Sequence, residues 1–531
     1  MMKGLENKSW EGRLKELGLF TFEKRRPGES HHSSFQGTRS GRQQERVWAR
    51  PGCRMSIMTL GLTVWAGVLL CLRAAREIVS ASPLLPHRPF AVVWNMPTAR
   101  CHQRFGVLLP LQDYGIVENQ DNAFQGQNMT IFYKNKFGLY PYISRQGERR
   151  NGGIPQRVLL QKHLERAKAE LTQLLLPDFH GLAVVDWEEW RPLWGRNWGP
   201  KVAYKAASEQ WVRKRFPEMP AKQRAYLAEV EFEGAAQELM ERTLALAKAL
   251  RPWGLWGFYR FPDCFNNNWA KTGNYTGKCR AVEVLRNNQL LWLWEASTAL
   301  YPSIYLPPKL PPAERQRYVY HRLREAFRVA WFGLERPLPV IPYSRVSYQR
   351  STRYLSEADL VHTIGESAAL GATGLVLWGD NSYSRSAESC RSLRRYITRT
   401  LGPYVVNVTG AAQLCSRQLC QGHGRCARRR PEELGAFLHL SPQQWGEDPL
   451  LTNHLGMDEP GLRTWGRFRC RCYRGWTGAS CEKRGWVEPG GGPVCIGPGG
   501  GPDSCGTIRG RNAAGAEICP KSAYEGKTEL R

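Results

Sequence analysis

The sequence predicts an α/β fold in which about seven parallel strands, separated by helices, form a TIM-like (β/α) barrel, followed by a small cysteine-rich module. Three observations predict it. Short apolar runs alternate with amphipathic helical stretches, polar and aromatic residues follow the runs, and six cysteines cluster towards the C-terminal end. An open dinucleotide-binding sheet is disfavoured, because no Gly-x-Gly-x-x-Gly pattern follows the first strand.

The periodicity of the apolar residues sets the individual elements. Runs rich in Val, Leu, Ile and aromatic residues predict strands that are buried on both faces, whereas Leu160, Leu164 and Leu171 recur at helical spacing. The predicted strands are 90–95, 129–133, 182–188, 254–261, 302–306, 337–345 and 374–380, and the predicted helices are 156–176, 221–250, 313–332 and 356–371.

Two carboxylates at the end of the third strand are the candidate catalytic groups. Residues two apart in an extended strand lie on one face, roughly 6–7 Å apart, so Asp186 and Glu188 should point to one place and Glu189 away from it. Parallel barrels keep their catalytic groups at the carboxyl ends of strands, so the pair is typical of a glycosidase acid. A purely structural role for the two acids agrees about equally well with the local pattern: they would cap a nearby helix or pair with Arg191.

The charge of the chain indicates a polyanionic partner. Lys and Arg number 75 against 47 Asp and Glu, a formal net charge of +28, to which residues 1–54 contribute 12 basic and 6 acidic groups. Nucleic acid is not favoured, because no helix-turn-helix, RNP or Cys/His zinc pattern is present. A negatively charged polysaccharide fits equally well, and the 20 Trp suit sugar rings, which pack flat on aromatic faces. No metal and no cofactor are predicted.

The segment after Met55 predicts entry into the secretory pathway. Its apolar run precedes the sequence VSAS, which has the small-residue spacing of a signal-peptide cleavage site. Residues 1–54 are therefore interpreted as a disordered basic extension and 55–81 as a signal peptide, or as an anchor somewhat short for a bilayer. We expect no stable membrane span, a monomer, and a secreted, lysosomal or vesicular location. Glycosylation sequons at Asn128, Asn274 and Asn407 agree with this route.

The cysteines predict disulfides rather than a zinc site. The sequence CRCYRGWTGASC has the closing spacing of an EGF-like module, and no His is suitably spaced for zinc. A bridge between Cys101 and Cys390 would tie the first strand region to the last. A bridge between Cys264 and Cys279 would close a short loop and stabilise the fold by about 3 kcal/mol in the chain-entropy model. No partner can be assigned to Cys53, Cys71, Cys495, Cys505 and Cys519.

These patterns divide the chain into a catalytic barrel over 82–410, an EGF-like module with a long insertion over 411–483, and a disordered Gly/Pro-rich tail over 484–531. No hydrophobic segment follows the tail, which argues against a GPI anchor.

Eight motifs in order resemble the vertebrate hyaluronidases, and their wording is most similar to the type 3 branch of that family. They extend over about residues 90–481 and read FGVLLPLQDYGI, GQNMTIFYKNKFGLYPYI, GLAVVDWEEWRPLW, GLWGFYRFPDC, NYTGKC, ALYPSIYLPP, IGESAALGATGLVLWGD and NVTGAAQLCS. The resemblance implies a distorted β/α barrel with an EGF-like module, and an endo-acting hydrolase that cuts the β-1,4 bond after N-acetylglucosamine in hyaluronan.

The resemblance also implies roles for individual residues. Glu188 resembles the proton donor, Asp186 the residue that orients the acetamido group, and Tyr259 the residue beside the acetamido oxygen. Five further residues resemble substrate-cleft positions of the family: Tyr133, Arg191, Asp263, Tyr305 and Trp378. The implied disulfides are Cys101–Cys390, Cys264–Cys279, Cys415–Cys426, Cys420–Cys470 and Cys472–Cys481.

The sequence departs from the family pattern in two places. Several active members place a second Trp three residues after the first, where this chain has Asn381, and Asp380 adds an anion near the path of an anionic polymer. The segment between Cys426 and Cys470 is also longer than a minimal EGF loop. The first departure bears on turnover and affinity, and the second on the module alone.

The motif supplies one good acid and one neighbour, which favours substrate-assisted catalysis with retention. The 2-acetamido oxygen would attack C1 while Glu188 protonates the leaving oxygen. Glu188 must then change its protonation during turnover, so its pKa is expected near the working pH, raised by burial and by Asp186. The alternatives are a hyaluronan-binding protein with weak catalysis and a hydrolase that also acts on chondroitin.

Overall fold

A computed structural model describes residues 84–485 of the chain, with gaps at 86, 271–273, 333, 335–336 and 441–464. The predicted basic extension, signal peptide and Gly/Pro-rich tail lie outside the described residues, as do Cys53, Cys71, Cys495, Cys505 and Cys519.

The secondary structure of the described residues alternates between strands and helices over most of its length. The strands are β1 (Ala91–Asn95), β2 (Met129–Tyr133), β3 (Tyr142–Ile143), β4 (Arg149–Arg150), β5 (Leu182–Asp186), β6 (Leu255–Phe258), β7 (Tyr343–Ser344), β8 (Gly374–Trp378), β9 (Gly424–Arg428), β10 (Phe468–Cys472), β11 (Trp476–Thr477) and β12 (Lys483–Arg484). The α-helices are α1 (Ala99–Phe105), α2 (Leu160–Leu174), α3 (Val202–Arg215), α4 (Ala221–Leu250), α5 (Ala281–Asn288), α6 (Leu291–Ala296), α7 (Pro312–Trp331), α8 (Glu357–Leu360), α9 (Glu366–Ala369), α10 (Ala387–Tyr396) and α11 (Gly402–Cys420), with π-helical turns at Val361–Gly365 and Ile397–Leu401.

The parallel strands form two three-stranded sheets, with the orders β2-β5-β6 and β1-β8-β7. In the first sheet Tyr133 lies opposite Asp186, and in the second Asn95 lies opposite Trp378, so the polar and aromatic strand ends share one edge. Isolated parallel bridges continue the pairing from β6 towards β7 at Tyr259↔Tyr301, Leu300↔Val340 and Ser303↔Tyr343. The predicted α/β fold with parallel strands is thereby confirmed.

Two of the predicted strands are much shorter than expected. Segment 302–306 contributes one bridge, at Ser303, and segment 337–345 contributes β7 and a bridge at Val340. Proline is the reason, because it has no N–H to donate to a ladder. Pro302 and Pro342 act as acceptors instead: their carbonyls receive the amides of Tyr343 (2.8 Å) and Val376 (2.9 Å).

A cluster of apolar side chains between the strands supports the site. Val93, Ile131, Val184 and Val376 belong to it, all fully or almost fully buried, and Gly257 of β6 leaves room for the neighbouring segment. A Cβ atom there would lie 2.3 Å from the carbonyl oxygen of Ala299. The partly buried rings that pack against this cluster are Phe124, Tyr133, Tyr259 and Trp378.

The helices predicted from periodicity agree with the structure within a few residues, whereas the C-terminal part differs from expectation. Helix α11 runs without a break across the boundary predicted between 410 and 411, because Val405, Val408, Ala411 and Ala412 continue one buried face. Strands β9 and β10 then pair antiparallel, with Cys426 opposite Cys470.

All five expected disulfides are present, which confirms each pairing. They are Cys101–Cys390, Cys264–Cys279, Cys415–Cys426, Cys420–Cys470 and Cys472–Cys481.

Within the described ranges, each helix is too short or too polar to traverse a bilayer. The same residues bring together no group of three or more His, Cys, Asp or Glu side chains suited to hold a metal ion.

Candidate active site

A cavity of about 730 Å³ lies at the carboxyl ends of β5, β6 and β8. Five of the residues predicted for the site line it: Asp186, Glu188, Tyr259, Tyr305 and Trp378. Its other charged lining residues are Arg260, Arg322, Arg345, Arg350 and Asp380.

Asp186 and Glu188 both reach this cavity, although β5 ends at Asp186. The indole of Trp187, between them, packs away from the cavity against Tyr140, with ring centroids 4.7 Å apart. Glu189 does not line the cavity and forms an ion pair with Lys134. The chain therefore presents two carboxylates to the cavity and turns the third one away.

Arginines hold Glu188 in its ionised form. Its Oε1 atom accepts from Nη2 of Arg191 at 3.2 Å and from Nη1 of Arg260 at 2.8 Å. Burial alone would raise the pKa of Glu188, but the two guanidinium groups outweigh it and hold the pKa below its usual value. The expected net rise of this pKa is wrong, because the two arginines outweigh burial and no local pattern indicates that Arg260 reaches Glu188.

Asp186 is the carboxyl group with the raised pKa. Burial, followed by the charge of Glu188, raises the pKa of Asp186 to about 7. Its Oδ1 atom is buried without a hydrogen-bond partner among the described residues. Two neighbouring carboxylates cannot easily both ionise, so the pair holds one proton between them below about pH 7. An unused acceptor atom at the base of a cavity is suited to a donor on a ligand.

Aromatic side chains form one wall of the cavity. Tyr305 stacks on Trp378 with centroids 6.2 Å apart and planes at 19°, and Tyr259 lies 6.1 Å from Tyr305. Burial and the charge of Glu188 raise the pKa of Tyr259 to about 12, so it remains a neutral hydroxyl donor. The wall offers flat apolar faces beside the two carboxylates.

Three of the predicted cleft residues support the cavity from behind rather than lining it. The hydroxyl of Tyr133 accepts from Nε1 of Trp378 at 3.0 Å. Arg191 is 3% exposed and holds Glu188 in place. Asp263 is 4% exposed and accepts from Nη2 of Arg260 at 3.3 Å.

The anion at Asp380 is neutralised by its surroundings. Oδ2 of Asp380 accepts from Nη2 of Arg345 at 3.2 Å, and Oδ1 accepts from the amide of Ser382 at 2.9 Å. The guanidinium of Arg345 also lies 4.9 Å from the ring centre of Trp378. Asn381 is exposed at the start of a short 3₁₀-helix. Arg345 therefore offsets the added negative charge.

Sequence reasoning missed two cations beside Glu188. Arg260 follows Tyr259 directly and has a positive φ of 66°, while Lys201 donates from Nζ to the carbonyl oxygen of Glu188. Burial, together with the charge of Arg191, lowers the pKa of Lys201 to about 8. The only sequence signal for Arg260 was its position at the end of a predicted strand.

The three sequons differ in their surroundings. Asn128 and Asn274 are exposed, whereas Asn407 is half-buried within α11 and its Oδ1 atom accepts from the amide of Leu440 at 3.0 Å.

The chain is similar to known proteins over most of its length. The sequence pattern of the hyaluronidase family matches residues 79–485. Hyaluronidase-3 of Homo sapiens is 52% identical over 434 residues, which is 82% of this chain and 98% of that protein. Hyaluronidase-2 of Homo sapiens is 44% identical over 439 residues, covering 80% and 92%.

A solved structure shares the fold. The crystal structure of bee venom hyaluronidase in complex with a hyaluronic acid tetramer has a TM-score of 0.56 and 34% sequence identity to this chain, and the match covers 60% of this chain and 98% of that one. The family resemblance of the eight motifs is therefore confirmed. With its paired carboxylates at the carboxyl ends of parallel strands, this chain belongs to the hyaluronidase family of glycoside hydrolases.

Proposed function

We propose that this protein hydrolyses the β-1,4 bonds of hyaluronan as an endo-β-N-acetylhexosaminidase, with retention, by substrate-assisted catalysis. One observation carries the proposal: Asp186 and Glu188 line the same cavity, and Asp186 presents a buried oxygen with no partner among the described residues. The relative of known structure binds a hyaluronic acid tetramer, which supports the choice of polymer.

In the first step the 2-acetamido oxygen of the sugar attacks C1. The C1–O bond to the leaving sugar breaks, and Glu188 gives its proton to the leaving oxygen. In the second step Glu188, now a carboxylate, takes a proton from water as the water oxygen bonds to C1. The bond from C1 to the acetamido oxygen breaks, and two inversions give net retention.

The shared proton of the carboxyl pair suits this sequence of events. In the free protein Asp186 holds the proton, because its pKa is raised to about 7 while that of Glu188 is lowered. An acetamido N–H that donates to Asp186 would favour its ionised form and so move the proton to Glu188. Binding of the correct sugar would then produce the acid that the first step needs.

The neutral hydroxyl of Tyr259 can donate to the acetamido oxygen and hold it near C1. The stacked rings of Tyr305 and Trp378 offer an apolar face to a neighbouring sugar.

The direct test is hydrolysis of hyaluronan by protein that begins at Ser82, with Glu188→Gln and Glu189→Gln as a matched pair. Both substitutions remove one carboxylate from adjacent positions, but only Glu188 lines the cavity. We expect Glu188→Gln to lose activity by at least about a thousandfold while still binding hyaluronan. Glu189→Gln should keep most of the activity. Equal activities for the two variants would contradict the assignment, and the anomer of the first product, read by NMR, tests retention.

A hyaluronan-binding protein with weak turnover is the second candidate. The observation that favours it is the double contact of Glu188 with Arg191 and Arg260, which opposes protonation of the acid. Measured binding of hyaluronan without release of reducing ends at any pH between about 3.5 and 7.5 would favour this candidate. Parallel assays with chondroitin test whether that polymer is also a substrate.

We also propose that the parallel strands form a distorted barrel, that an EGF-like module follows it, and that the protein enters the secretory pathway. The pairing from β2 through β5, β6, the bridges and β7 to β8 and β1 supports a distorted barrel. The last three disulfides and the β9–β10 pair support an EGF-like module. Disulfides persist in oxidising compartments, which supports secretion or delivery to a vesicle or lysosome.

A further inference from the structure

Arg260 links the two acidic groups on either side of it. Its Nη1 atom donates to Glu188 at 2.8 Å and its Nη2 atom to Asp263 at 3.3 Å. Its backbone has φ of 66°, and its amide donates to the carbonyl oxygen of Tyr301 at 2.9 Å. A residue other than glycine rarely adopts this backbone conformation, and residues that do so cluster at functional sites. The chain thus accepts local strain at the residue that contacts its candidate acid.

The two arginines on Glu188 differ in their freedom to move. The side chain of Arg191 is 4% exposed, with its guanidinium 5.4 Å from the ring centre of Phe261. The side chain of Arg260 is 34% exposed and lines the cavity. A ligand in the cavity can therefore reach Arg260, while Arg191 stays fixed.

The other cavity arginines already have partners or lack contact with Glu188. Arg322 donates to Oδ1 of Asn266 at 2.8 Å and to the carbonyl oxygen of Ser303 at 2.7 Å. Arg345 pairs with Asp380. Arg350 is exposed and lines the same cavity with a positive φ of 57°.

We propose that Arg260 is a substrate-sensing positioning residue. It releases Glu188 and binds a uronate carboxylate of the polymer instead, so that Glu188 can take up its proton. A carboxylate on an arginine forms charge-assisted, often bidentate bonds, so the exchange replaces one such contact with another. A neutral polymer has no carboxylate that could bind Arg260, so Arg260 stays on Glu188 and keeps it ionised. The inference rests on the proposed role of Glu188 as the acid, and it adds a reason why an anionic substrate would be preferred.

Several charged or titratable groups face Glu188, and the release of Arg260 has to change the pKa of the carboxyl pair against their combined effect. They are Asp186, Arg191, Arg260, Lys201, Tyr259 and Tyr133. Among these, only Arg191 and Arg260 donate to the carboxylate of Glu188, and together they keep its pKa low. Loss of Arg260 alone should therefore raise the pH at which the carboxyl pair gives up its last proton.

The test compares Arg260→Gly with Arg350→Gly as a matched control. Each variant removes one positive charge from the cavity at a position with positive φ, which glycine tolerates, but only the first removes a contact of Glu188. Arg260→Lys keeps the charge without the forked geometry and should restore part of the wild-type behaviour.

Binding of a hyaluronan hexasaccharide is measured by calorimetry in buffers of different ionisation enthalpy, near pH 7 and at a temperature where turnover is slow. Wild-type protein and Arg350→Gly should take up protons on binding, because release by Arg260 raises the pKa of the carboxyl pair. Arg260→Gly should lose at least half of this uptake. Wild-type protein should show the same reduced proton uptake when it binds hyaluronan whose uronates have been reduced to neutral glucose.

Kinetics give an independent measure. The alkaline limb of kcat, which reports the substrate complex, should lie above that of kcat/KM, which reports the free enzyme. In Arg260→Gly the kcat/KM limb should move up by about one pH unit or more and the two limbs should coincide.

Equal proton uptake by wild-type protein and Arg260→Gly, or equal uptake with intact and carboxyl-reduced hyaluronan, would overturn the inference. The binding measurement does not depend on turnover, so it decides the role of Arg260 even if the protein proves inactive. Failure of the proposed function would instead appear as absent hydrolysis in wild-type protein at every pH.

Discussion

Asp186 and Glu188 occupy one cavity, yet their surroundings drive their pKa values in opposite directions. Glu188 accepts from two arginines, whereas Oδ1 of Asp186 is buried and has no partner in the described part of the chain. Below about pH 7 the proton of the pair therefore resides on Asp186. This division of roles within a pair of acids follows from environment and not from residue type.

The pH dependence of activity follows from this division. We predict that kcat/KM falls as pH rises through about 7, because the raised pKa of Asp186 marks the pH at which the pair loses its last proton. Above that pH the pair holds no proton, so Glu188 has none to give to the leaving oxygen. Initial rates of hyaluronan hydrolysis from about pH 3 to 8 check this, and an alkaline limb well above pH 8 would contradict it.

Asp186 should also reduce the stability of the fold at neutral pH. Its carboxyl ionises at a pKa of about 3.8 in the unfolded chain and about 7 in the folded protein, so the folded state binds more protons between these values and stability falls as pH rises through that window. We expect Asp186→Asn to raise the Tm at pH 7 and to have much less effect near pH 4. Calorimetry at both pH values tests this; equal effects at both would refute it.

The sequence was sufficient to find both acids, because strand period and strand end place them together. It was not sufficient to find Arg260, since the reach of a flexible side chain towards Glu188 depends on a positive φ that no local pattern announces. For the same reason the sign of the pKa shift at Glu188 could not be predicted.

Among the elements, α9 and β9 are joined by a fully buried ion pair. Both Nη atoms of Arg428 donate to the carboxylate of Glu366, at 2.8 and 2.9 Å, and neither side chain has exposed area. We predict that Arg428→Met lowers the free energy of unfolding by about 3–5 kcal/mol, because the buried carboxylate of Glu366 loses its counter-ion and keeps only the hydrogen bond from Gln316 among the described residues.

Denaturant unfolding measures this effect, with two comparisons. Arg430→Met removes an arginine that is 73% exposed and pairs with Glu433, so it should change stability by less than about 1 kcal/mol. The double variant Glu366→Leu/Arg428→Met should recover a large part of the loss. A single variant as stable as the wild type would contradict the role assigned to the pair.

The elements were predictable where one physical rule decides them. Long helices such as α4 and α7 begin and end close to their predicted bounds because their apolar period is regular. The strands expected at 302–306 and 337–345 shrink because prolines interrupt their ladders. The continuous course of α11 was not predicted, because its last turns contain Cys415 and Cys420, which the sequence analysis assigns to the cysteine-rich module.

At the scale of the whole molecule, the net charge of +28 bears on how the polymer is captured. We predict that the Kd for hyaluronan rises severalfold between about 0.05 and 0.3 M NaCl, because salt screens the attraction between a basic protein and a polyanion. A neutral chitin oligosaccharide of equal length should show little change. Equal salt dependence for the two ligands would indicate that charge contributes nothing to capture.

Helix α11 passes from the parallel-sheet region into the disulfide-linked segment without a hinge, and Cys415 and Cys420 anchor that segment to the helix itself. The described residues around the 410/411 boundary therefore form helix rather than a linker. A graft of the C-terminal segment onto another protein would therefore have to include helix α11, because two of its cysteines belong to the segment's disulfides.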